Sequence, residues 1–124
     1  MNGFRVYDKV EGKYSSKPFF VDKEEKLYVK AVNKNPESTR DWTVIESADP
    51  DRYVIEWGTG LKDKNGVEIF EGDDLKWTAT GKTDNVIYRD GSFFCFGYPI
   101  YERKAYGFYK EIEVIGTIHD NKEV

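Results

Sequence analysis

Apolar and polar positions along the 124 residues alternate with period two far more often than they recur at helical spacing. Tyr53, Ile55 and Trp57 fall on one side of an extended segment, with Val54 and Glu56 on the other, the pattern of a half-buried strand. Phe4 and Val6 predict an opening strand, followed by a turn through residues 9–13 around Gly12. Residues 19–21 and 27–32 predict two more short strands, separated by the charged run 22–26. The polar run 33–41 reads as an exposed loop, and residues 43–47 fit either a strand or one helical turn. Beyond Gly72 the pattern predicts strands at 75–80, 85–88 and 92–96, with turns through 81–84 and at Asp90-Gly91. A long loop over 97–110 leads to a last strand at 112–118, in which Gly116 marks a bulge. If residues 68–70 contribute, the C-terminal half has the strand count of a small five-stranded barrel.

The densest turn chemistry lies in Thr59 to Trp77, TGLKDKNGVEIFEGDDLKW. Asn65-Gly66 offers two adjacent positions that tolerate positive φ, as a two-residue type I′ hairpin requires. Gly72-Asp73 marks a second turn before the alternation Leu75, Trp77, and the Asp73 carboxylate is suited to accept a backbone N–H within its own turn. This segment resembles the signature of the YopX family of phage and prophage proteins. Phe4-Arg5-Val6-Tyr7-Asp8 resembles that family's opening, and Glu111-Ile112-Glu113-Val114-Ile115-Gly116-Thr117-Ile118 its closing strand. Residues 11–51 and 121–124 depart from the family's pattern. The resemblance implies a mainly β fold with an SH3-like barrel in the C-terminal half, packed with an N-terminal β-rich segment. It also implies a phage or prophage protein in the cytoplasm of a bacterial host, and it brings no known catalytic residues. The expected layout is one compact unit in two parts, residues 1–57 and 58–124.

Composition narrows the chemistry. One Cys excludes an internal disulfide, and one Cys with one His cannot build a four-ligand zinc site. Nineteen basic against twenty-three acidic residues give a net charge of −4, with ten against eleven up to Trp57 and nine against twelve after it. Neither half concentrates the Lys and Arg that a sequence-independent grip on a phosphate backbone needs. The N-terminus has no charged-then-apolar leader pattern, and no apolar run approaches the length of a membrane span, so a cytoplasmic protein is expected.

Candidate sites are few. Aligning Gly66 with the sixth position of an EF-hand loop puts Leu61 at the first and Gly72 at the twelfth, where carboxylates are required, so that motif fails. Cys95 lies in the apolar run Phe93-Phe94-Cys95-Phe96 and reads as a small buried hydrophobe, while His119 near the chain end is expected to be exposed. Glu71, Asp73 and Asp74 place three carboxylates within four residues, the feature on which a metal-assisted hydrolase would rest. The stronger signal is aromatic. Eight of the twenty aromatic residues fall between Phe93 and Tyr109, and strict alternation puts Phe94, Phe96 and Tyr98 on one face, opposite Phe93 and Cys95. Tyr98, Tyr101 and Tyr106, with Arg89 and Arg103 nearby, are the expected binding residues, because such side chains dominate protein-binding hot spots. The expectation is a non-enzymatic interaction module without cofactor, metal or catalytic residue, binding a protein partner or a second copy of itself. A nucleic-acid-binding β-barrel, stacking bases on the same rings, is the alternative.

Overall fold

The computed structural model describes residues 3–33, 42–101 and 108–120. Among these the protein is mainly β, with thirteen strands and a turn of 3-10 helix at Phe108–Glu111. The chain divides into two compact units, Arg5–Ile55 and a second made of Met1–Phe4 with Glu56–Val124.

In the N-terminal unit β1 (Phe4–Asp8) and β2 (Lys13–Tyr14) form a hairpin with Tyr7 opposite Tyr14. Next, β3 (Phe19–Val21), β4 (Leu27–Asn33) and β5 (Trp42–Ser47) form an antiparallel sheet in that order. The charged run between β3 and β4 closes because Oδ1 of Asp22 accepts the N–H groups of Glu24 and Lys26, each at 2.9 Å. Of the two conformations open to residues 43–47, the strand is realised: β5 pairs residue for residue with β4, from Tyr28 opposite Ser47 to Asn33 opposite Trp42. Val6, Leu27 and Ala48 are buried, and so is Asp8, whose carboxylate is gripped by Arg52 through Nε at 3.0 Å and Nη2 at 2.8 Å.

β6 (Tyr53–Lys62) enters the C-terminal unit at Glu56 and forms a hairpin there with β7 (Glu68–Phe70). One sheet has the order β13 (Ile112–Thr117), β8 (Asp73–Trp77), β9 (Thr83–Asn85). Another has the order β10 (Ile87–Arg89), β11 (Ser92–Cys95), β12 (Tyr98–Pro99). These sheets curl into a half-barrel, consistent with the SH3-like arrangement. Leu61, Ile69, Leu75, Val86, Phe93, Cys95, Ile100 and Ile112 form its buried core. Cys95 thus takes the small-hydrophobe role its apolar run indicated.

Three departures from simple alternation have local causes. The strand expected at 85–88 is split at Val86, which buries its side chain and bonds to Asp73 C=O through its N–H and to Gly72 N–H through its carbonyl, both at 2.9 Å. The strand expected at 75–80 stops at Trp77, because the N–H groups of Thr80 and Gly81 turn back to the Trp77 carbonyl at 3.2 and 2.8 Å. The strand expected at 92–96 stops at Cys95. Phe96 and Gly97 both have positive φ, 56° and 81°, and Cys95 pairs with Tyr98, so a two-residue type I′ turn begins β12 inside the expected loop. Phe94, Phe96 and Tyr98 therefore do not share a face, and Phe96 instead meets Trp77 edge-on at 5.8 Å.

The turn geometry expected at Asn65-Gly66 is also corrected. Only Gly66 has positive φ, 80°. Gly66 N–H donates to Asp63 C=O at 3.1 Å and Asp63 N–H to Val67 C=O at 2.8 Å, which makes a three-residue loop whose glycine forms the left-handed bulge position. The organiser is Asp63, whose Oδ1 accepts the N–H groups of Asn65 and Val67 at 2.8 and 2.9 Å and whose Oδ2 accepts that of Val114 at 2.9 Å. Asp90-Gly91 has positive φ at both residues, 50° and 78°, between the paired Arg89 and Ser92, and is a type I′ turn. β13 shifts register between Val114 and Gly116, the bulge that Gly116 indicated.

Candidate functional site

Two places in the C-terminal unit bring chemistry-bearing side chains together. The first surrounds the acidic turn between β7 and β8. Asp73 is buried and its Oδ2 accepts Phe70 N–H at 2.8 Å, the turn-closing role expected of it. Glu71 Oε1 accepts Trp57 N–H at 3.3 Å. Burial pushes the Glu71 carboxyl above the ordinary carboxylate range, the Trp57 N–H pulls it back, and the neighbouring Glu56 carboxylate adds to the rise. Glu56, the charged member of the β6 alternation, is the buried one, with its side chain 2% exposed. His119 Nε2 lies 2.6 Å from Glu56 Oε2, and the imidazole is 16% exposed.

The exposed position expected for His119 is therefore corrected. The turn leaving β13, pinned by Ile118 N–H on Gly72 C=O at 2.9 Å, swings the ring back over β6. Gly72 has φ 87°, and a Cβ built on it would stand 2.6 Å from Oε2 of Glu56. The glycine is what lets the main chain pass the buried carboxylate. Among the described residues no group of three or more His, Cys, Asp or Glu side chains is arranged to hold a metal ion. The acidic turn is thus tied into backbone hydrogen bonds and does not present a convergent carboxylate cage.

The second place is the sheet β10–β11–β12. Ile87 sits opposite Phe94, and Phe94 opposite Pro99, so these three side chains lie abreast on one face. Ile87 is 44% exposed, while Phe94 and Pro99 are half-buried. The Arg89 guanidinium lies over the Phe94 ring, 4.6 Å from its centroid. On the other face, Phe93 is buried against Tyr88 at 4.9 Å between centroids. Tyr98 stands opposite Cys95 and is 54% exposed.

Tyr101 is 43% exposed, sets its ring edge-on to Phe93 at 6.3 Å and donates its hydroxyl to Thr59 C=O. Burial pushes its phenol up. Of the five expected binding residues, Arg89 thus lies on the Ile87 face, Tyr98 and Tyr101 are partly exposed, and Arg103 and Tyr106 lie outside the described residues. Residue alternation missed Ile87 and Pro99, because their place on the face depends on two hairpins whose registers are set by the turns at Asp90-Gly91 and Phe96-Gly97.

No helix among the described residues is long and apolar enough to cross a membrane. A search of the curated proteins finds no match to the chain. Among solved structures, the chain is similar to the crystal structure of protein EF1440 from Enterococcus faecalis, with a TM-score of 0.64 and 31% identity, over 97% of this chain and 94% of that one. The family described as YopX protein matches residues 3–124. With that match spanning nearly the whole length, and with the signature segment folding into the β6–β7–β8 turns described above, the chain belongs to the YopX family.

Proposed function

We propose that this chain is a non-enzymatic interaction protein, carried by a phage or prophage and working in the bacterial cytoplasm, whose docking surface is the Ile87–Phe94–Pro99 face. The observation that carries the reading is the row of three apolar side chains abreast on one sheet face, with Ile87 exposed at its edge. Apolar and aromatic side chains with one Arg at the rim suit an apolar segment of a protein partner. The non-enzymatic part is supported by the acidic turn, where the Asp73 and Glu71 carboxylates accept backbone N–H groups. Nucleic-acid binding is less favoured: the Arg89 guanidinium occupies the Phe94 ring that a base would stack on, and the net charge is −4.

Capture from host lysate, with and without nuclease, tests this using the wild type and Ile87→Glu. The expected result is a protein that stays bound after nuclease treatment and is lost with Ile87→Glu, at an unchanged melting temperature. Loss of all bound material on nuclease treatment, or full capture by Ile87→Glu, would overturn it.

A further inference from the structure

The N-terminal unit contains a strand edge unlike the other sheet edges among the described residues. β5 is six residues long and lies at the edge of its sheet. Other edges are short: β2 and β12 have two residues, and β3, β7, β9 and β10 have three. The remaining six-residue edge, β13, is bulged, and its outward groups are taken: Ile112 C=O accepts Lys64 N–H, and Val114 N–H donates to Asp63. Short, bulged or capped edges are how sheets avoid pairing with other chains, and among the described residues β5 shows none of these devices.

The register shows which groups it offers. Ala48 N–H donates to Leu27 C=O at 3.0 Å, so the pair 27/48 is hydrogen-bonded, and antiparallel pairs alternate. The pairs 29/46, 31/44 and 33/42 are then bonded to β4, whereas 28/47, 30/45 and 32/43 are not. Lys30 N–H confirms the phase by donating towards β3, to Pro18 C=O at 3.0 Å. The main-chain N–H and C=O groups of Thr43, Ile45 and Ser47 therefore point away from the sheet.

We propose that β5 pairs antiparallel with β5 of a second copy of this chain, across a two-fold axis at Ile45. In this register Ile45 faces its own counterpart, Thr43 faces Ser47 and Val44 faces Glu46. The three outward-pointing residues of each copy meet those of the other, and no two like charges stand opposite each other. Ile45 is 57% exposed, so the axis brings two exposed apolar side chains together. The two three-stranded sheets become one of six strands. This surface lies in the other unit from the Ile87 face, and the inference does not rest on the function proposed above.

Sedimentation equilibrium over a wide concentration range, with hydrogen exchange at low and high concentration, tests the proposal. The expected result is a monomer–dimer equilibrium in which exchange at Thr43, Ile45 and Ser47 slows as the dimer fills. Ile45→Pro removes an N–H that points out of the sheet and leaves the β4 ladder whole. Two outward bonds disappear in each dimer, which should weaken association roughly tenfold or more. Ile45→Lys, which puts two ammonium groups at the axis, should do the same should the proline variant lose its fold, and Ile87→Lys should leave the dimer unchanged. A monomer at every concentration would overturn the proposal, as would a dimer that survives Ile45→Lys or one that is lost with Ile87→Lys.

Discussion

The two units bury different things. The C-terminal unit closes on eight buried apolar residues, from Leu61 to Ile112. Among the residues whose burial is described, the N-terminal unit buries Val6, Leu27 and Ala48 together with an acid, Asp8, held by Arg52 and by the N–H groups of Val10 and Glu11. Its rings are half-buried and meet in pairs, Phe20 stacked on Tyr28 at 5.3 Å and Phe19 edge-on to Tyr53 at 5.0 Å. Among the described residues, the first shows an apolar core that excludes water, and the second an ion-paired acid and rings that remain partly wet. The first should respond to lost volume and the second to pH.

The largest expected effect is on the apolar core. Leu75 is fully buried in β8, and Leu75→Ala should cost roughly 2 to 5 kcal/mol, read as a fall in denaturation midpoint and as faster amide exchange in β8 and β13. A loss below about 1 kcal/mol would show that the half-barrel core collapses around the gap and that the contrast between the units is weaker than drawn. Gly66→Val tests the same unit through its backbone. Nothing lies within 4 Å of a Cβ at Gly66, so the expected cost of about 1 to 3 kcal/mol comes only from forcing a β-branched residue to φ 80°.

Acid sharpens the comparison from the other side. The Arg52 guanidinium and two backbone N–H groups hold the Asp8 carboxyl down at about 2, against 3.8 unperturbed. Its contribution is complete above the unperturbed value and is lost as pH falls through the folded one, so exchange protection in β1 and β2 should weaken between about pH 4 and 2. Asp8→Asn should remove that pH dependence. Glu71 works in the opposite sense: its carboxyl is raised by burial, so acid favours the folded form at that position. The smallest effect is expected at Tyr98, where Tyr98→Ala should change stability by less than about 0.5 kcal/mol, as an exposed ring does; a larger loss would move Tyr98 into the core's account.

Much of the strand layout was legible because alternation and turn chemistry are local. Residues 19–21, the bulge at Gly116 and the turn at Asp90-Gly91 were read directly, and residues 68–70 form the strand that the barrel count left conditional. The readings failed where a distant group decided the conformation. Asn65 has the composition of a type I′ turn, but the Asp63 carboxylate binds Asn65, Val67 and, across the unit, Val114, and this selects the longer loop. Phe96 adopts positive φ against its own preference, with its N–H donating to Asp84 at 2.7 Å and its ring against Trp77. His119 looked like a surface residue because its partner, Glu56, lies sixty-three residues earlier. The Ile87 face was half legible: Arg89 and the aromatic excess pointed to the region, but the face itself depends on the register of two hairpins.

The close passage of Gly72 by Glu56 has an evolutionary consequence. The volume that a methyl group at position 72 would fill is already held by the carboxylate at position 56. The two positions, sixteen residues apart, therefore form a single inherited choice. A lineage that replaces Gly72 must shorten or displace the side chain at position 56, and one that loses the long side chain there frees position 72 to drift within the limits of its left-handed φ. Among relatives of this chain the two positions should change together, with His119 released from constraint whenever they do.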